Sequence, residues 1–66
     1  MVDLRSARII DKIRLNFEAI DDAAKSGTKM ALLHSFSNIR NLKNVILNSA
    51  HEIDELLMDL ESLDDD

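Results

Sequence analysis

Lys25-Ser26-Gly27-Thr28-Lys29 is the stretch on which the reading of this chain depends. It holds the single glycine of 66 residues, the chain has no proline, and helical periodicity runs away from it in both directions. Glycine has no Cβ to clash in the left-handed conformation that ends many helices, so Gly27 is read as the end of a first helix. Thr28 is read as the cap of a second, its hydroxyl accepting an orphan backbone N–H. A phosphate-binding loop would need more glycine and a preceding strand, so the segment is read as a turn.

Upstream, Ile10, Ile13, Phe17, Ile20 and Ala24 recur at steps of three and four, with Ile9 widening the stripe. That spacing puts them on one helical face and predicts a helix over about residues 3–25. Asp3 stands where it would cap the start, and Asp21 and Lys25 form a favourable pair one turn apart. Downstream, Leu32, Phe36, Ile39, Ile46, Ala50, Ile53, Leu57 and Leu60 keep the same rhythm and predict a helix over about residues 29–63. Lys43 is the one polar interruption of that seam, and a buried cation there would need an acid opposite it. Leu42, Leu56 and Leu63 flank the seam on one side, Leu33 and Leu47 on the other, a stripe wide enough for a bundle. Asn38, Asn41, Asn44 and Asn48 fall on the opposite, solvated face. A second cut is available at Ser49-Ala50-His51-Glu52, which has capping-box spacing, but the heptad phase passes through Ser49 without a slip and favours one continuous helix.

The expected fold is therefore all-α: an antiparallel two-helix hairpin, residues 1–66 as a single domain, with 64–66 an acidic frayed tail. A chain this short buries little surface and usually needs a staple. There is no cysteine, which excludes disulfides, thiolate zinc sites and cysteine nucleophiles. Association is the staple that remains, either as a homodimer forming a four-helix bundle or with a larger protein. At about 1.5 Å per residue the arms would differ by nearly 20 Å. Asp3 would come to lie beside His51, leaving Ile53, Leu56, Leu57, Leu60 and Leu63 as an unpaired overhang. Exposed stripes of that size mark interfaces.

Charge divides along the chain. Residues 1–43 hold all eight basic side chains and five acids; residues 44–66 hold eight acids and no base. Glu52, Glu55 and Asp59 crowd the end of a helix whose dipole disfavours anions. The expected function is a non-enzymatic protein–protein interaction module (a small regulator, inhibitor, chaperone or assembly subunit) that binds through Glu52, Ile53, Glu55, Leu56, Leu57, Asp59, Leu60 and Leu63. A basic face of Arg5, Arg8 and Lys12 is the alternative site, for RNA or for pairing with the acidic half. The hairpin architecture resembles that of the plasmid copy-number regulators that dimerise and bind RNA loops, although the net charge of −5 disfavours nucleic acid and no aromatic lies on the basic side to stack a base.

Catalysis needs a pocket that excludes water and shifts pKa values, and two helices leave no room for one. Ser49 and His51 are two apart and do not face each other. His51 and Glu55 could both touch a metal ion, but two ligands do not close a site. Ala50-His51-Glu52-Ile53-Asp54 resembles the S-Q-E-L-D signature of the small two-helix phosphatases that act on sporulation response regulators. Glu52, Ile53 and Asp54 match, while Ala50 replaces the serine and His51 the glutamine, and the second helix is longer here. That resemblance implies a remote phosphatase alternative. No cofactor, metal, small-molecule substrate or membrane partner is expected, and the absence of cysteine and of a leader pattern fits the cytoplasm.

Overall fold

The computed structural model describes residues 4–64. Two antiparallel helices, α1 (Leu4–Leu32) and α2 (Phe36–Asp64), each 29 residues long, form a rod with extents of 50 × 17 × 9 Å. The all-α hairpin expected from periodicity is present. Its turn is elsewhere. The helices are equal in length, so there is no overhang, and α2 is continuous through Asn48 and Ser49. Asp64 closes α2; residues 65–66 of the expected frayed tail, and the expected cap Asp3, lie outside the described residues.

The chain reverses at residues 33–35. The Ser35 N–H donates to the Met30 carbonyl (2.9 Å) and the His34 N–H to the Ala31 carbonyl (3.1 Å). This pair of bonds defines a Schellman terminus, which satisfies carbonyls that the ending helix leaves open. His34 takes the left-handed position with φ of 55°, where histidine is one of the few non-glycine residues enriched. Ser35 then starts α2: its carbonyl accepts from the Ile39 N–H at 3.2 Å, and its hydroxyl accepts from Asn38 Nδ2 at 2.7 Å. His34→Val places a branched Cβ in the left-handed region and is expected to cost about 1–2 kcal/mol, read as a lower thermal midpoint, while His34→Gly should not destabilise. Equal midpoints for the two variants would show that the turn does not hold this conformation.

Gly27 is an interior residue of α1, and Thr28 caps nothing. Its hydroxyl donates to the Ala24 carbonyl at 3.2 Å, the back-bond that serine and threonine make inside helices. Gly27 faces α2: a Cβ built on it would stand at ordinary contact distance, 3.9 Å, from Leu42 Cδ1. Counting outward from that contact in heptad steps pairs Met30 with Ile39, Ala23 with Ile46, Ile20 with Ser49, Asn16 with Ile53, Ile13 with Leu56, Ile9 with Leu60 and Ser6 with Leu63. All of these are buried or half-buried.

The seam is therefore rotated by one position from the one expected. Ile13, Ile20, Ile39, Ile46, Ile53 and Leu60 belong to both. Ile10 (53% exposed), Phe17 (58%) and Phe36 (61%) do not lie in it, nor do Leu32, Ala24, Ala50, Leu57 and Lys43, all exposed. Of the expected flanks, Leu56 is buried in the seam and Leu42 and Leu63 are half-buried in it. Asn38, Asn41, Asn44 and Asn48 are all exposed, as expected.

Candidate functional site

Each helix carries three apolar columns, and the hairpin consumes two. The third follows each inner seam residue by one position: Ile10, Phe17, Ala24 and Ala31 on α1; Phe36, Lys43, Ala50 and Leu57 on α2. A step of one residue is about 100° around a helix. Because the helices are antiparallel, both sets turn toward the same side of the rod. Leu47, Arg14, Asp21, Arg40, Asp54 and Glu61 lie just outside them on that side. This broad face carries five large exposed apolar residues: Ile10, Phe17, Phe36, Leu47 and Leu57. The opposite broad face carries Leu15 and Val45, with Leu33 at its turn end, and Leu4, Leu32 and Met58 are exposed along the outer edges. The asymmetry identifies the first as the sticky face.

The residues expected to bind a partner are split by the structure. Ile53 and Leu56 are buried between the helices, at 8% and 7% exposure, and Leu60 and Leu63 are half-buried against α1. These four hold the hairpin together and are not an overhang. Leu57 is exposed on the sticky face, and Glu52, Glu55 and Asp59 are exposed to solvent. Sequence reasoning had placed Ile10, Phe17 and Phe36 inside. The available signal was Lys43: a cation in the middle of a supposed core column marks that column as a surface.

Arg5, Arg8 and Lys12 come together on the opposite side with Ile9, Asp59, Ser62 and Leu63, lining an open groove. Asp59 is the acid that lines this groove beside the three bases. Elsewhere the charges pair locally. Arg14 bridges Asp11 at 2.6 Å and Glu18 at 2.7 Å, and Lys25 bridges Asp21 at 2.9 Å. The Asp11 hydrogen bond, then its charge, raises the Arg14 pKa, and the Asp21 hydrogen bond does the same for Lys25. Raised cationic pKa values favour the folded state below the ordinary arginine and lysine range and lose that contribution only at strongly alkaline pH. The pairs are fully exposed and contribute little.

His51 Nε2 lies 3.3 Å from Glu55 Oε1. Among the described residues no three histidine or acidic side chains group to hold a metal, and no helix is long and apolar enough to cross a membrane. Of the five residues resembling the phosphatase signature, Ile53 is buried in the hairpin and the other four are exposed. No protein-family model, curated protein or solved structure matches the chain.

Proposed function

We propose that this chain is a non-enzymatic protein–protein interaction module, docking through the broad face made by Ile10, Phe17, Phe36, Leu47 and Leu57. The observation that carries this reading is the accessible surface of 5344 Å². A compact chain of this mass exposes about 4200 Å². The difference, roughly 1100 Å², exceeds the ~800 Å² that each partner contributes to a standard interface. Physically, the hairpin is one layer thick, and stable domains bury their apolar faces between two layers. Among the described residues only Ala23, Ser49, Ile53 and Leu56 are buried, a small core for 61 residues.

Phe17→Glu tests the reading. Phe17 is more than half exposed in the hairpin, so the substitution should leave the helical circular dichroism of a monomer intact. It should also abolish complex formation, followed as mass by light scattering and as specific retention of proteins from the source-cell extract. If wild type and variant have the same mass and retain the same proteins, this face is not the docking surface.

A further inference from the structure

We infer that the occupant of this face is a second copy of the same chain, laid face to face and head to tail, so that the two turns lie at opposite ends of a four-helix bundle. The inference rests on the docking reading above and adds the partner and its orientation.

Shape supplies the first argument. The face runs the 50 Å length of the rod across its 17 Å width, and the rod is only 9 Å thick. A second identical layer covers it along its whole length.

Charge supplies the second. Four charged residues border the face on α2: Arg40, Lys43, Asp54 and Glu61. None of them makes an ion pair among the described residues. They are sorted by position. The half of α2 next to the turn, residues 36–50, holds Arg40 and Lys43 and no acid; residues 51–63 hold Glu52, Asp54, Glu55, Asp59 and Glu61 and no base. A two-fold axis crossing the rod at mid-length lays α2 on the second copy's α2 in the opposite direction. It brings each Arg40 level with the other copy's Glu61, and each Lys43 between the levels of the other copy's Asp54 and Glu61. On α1 the same axis brings Arg14 level with the second copy's Asp21.

The alternative two-fold, with both turns at one end, lays α2 on the second copy's α1. Lys43 and Arg40 then lie level with Ala24, Thr28 and Ala31, and Glu61 with Ala7 and Ile10, so these three charges meet no opposite charge and only Asp54, level with Arg14, is matched. The head-to-tail axis matches more of them, and complementary charge selects between arrangements of one interface.

The head-to-tail axis also fixes which side chains meet themselves. Phe17 and Ala50 lie within one residue of the midpoints of α1 and α2, so each sits beside its own copy. Among the described residues the titratable groups bordering the face from either helix are Arg14, Asp21, Arg40, Lys43, Asp54 and Glu61. The arrangement should weaken as salt screens the pairs.

Cysteine substitution reads the geometry directly, since the native chain has none. The experiment measures the mass of the intact chain by light scattering and then oxidises Ala50→Cys alone, and Lys43→Cys mixed with Leu57→Cys. The expected result is a dimer in which Ala50→Cys links to itself and the mixed pair forms a heterodisulfide. A dimer in which neither links, but Ala24→Cys joins Lys43→Cys, overturns the orientation. A chain that stays monomeric at its solubility limit overturns the second copy as occupant. In that case the loss or survival of retained proteins in Phe17→Glu decides separately whether the face docks anything.

Discussion

Leu56→Asp is expected to unfold the hairpin, while Leu57→Asp, one position along, leaves it folded and removes its association. Leu56 is 7% exposed and stands opposite Ile13 in the seam. A carboxylate there is buried without a base beside it, at a cost of several kcal/mol beyond the ~1.5–3 kcal/mol of lost leucine burial. A chain of this size has only about 3–10 kcal/mol of net stability, so the helical circular dichroism should collapse. Leu57 is 43% exposed and belongs to the outer column, where a carboxylate stays hydrated in the monomer. It becomes costly only when a second layer covers it. Circular dichroism and light scattering on the two variants give opposite pairs of results. If both unfold, or both stay helical, the assignment of columns to inside and outside is wrong.

Gly27→Pro carries the second large effect. Inside a helix, proline removes one hydrogen bond and its ring clashes with the carbonyl four residues back, costing about 3 kcal/mol or more. Gly27 lies five residues from the end of α1, so the substitution should break the helix and most of the seam beyond it. The opposite sign is expected for Gly27→Ala. The space for a Cβ exists, at 3.9 Å from Leu42 Cδ1, and glycine inside a helix is about 0.5–1 kcal/mol worse than alanine. That gain should raise the thermal midpoint by about 2–8 °C for a chain this short. Were Gly27 a left-handed turn residue, the alanine variant would be the destabilised one. A lower midpoint for Gly27→Ala, or an unchanged one for Gly27→Pro, would refute the interior placement.

The helical class and the hairpin were legible in the sequence because periodicity is robust: Ile13, Ile20, Ile39, Ile46, Ile53 and Leu60 form the one column that every reading shares. The position of the turn was not. A lone glycine is read as a φ > 0 residue, but Gly27 lies inside α1 with room for a Cβ, and histidine holds the left-handed position. The surviving local signal was Ser35 with Asn38 three residues on, a serine start that a glycine-centred reading overlooks. The rotation of the seam escaped for a different reason. Three adjacent apolar columns permit two choices of core, and the larger side chains of Ile10 and Phe17 invite the wrong one. The folded hairpin puts small residues, Ala23, Gly27 and Ser49, between its helices and leaves the bulky column outside. The exposed face was obscured with it: Leu57 lies on that face, while Ile53 and Leu56 are buried in the seam.

The turn at His34 also governs how the molecule comes together. Every pair across the seam is closed by that one reversal, so the length of chain that must be looped grows steadily from Met30 and Ile39 out to Ser6 and Leu63. Loop-closure entropy rises with that length, and contacts near in sequence form faster than distant ones. The hairpin is thus a zipper that starts at the histidine and closes last at the end where Arg5, Arg8 and Lys12 meet Asp59. Opening follows the reverse order, so fraying begins at the end where Arg5, Arg8, Lys12 and Asp59 line one open groove.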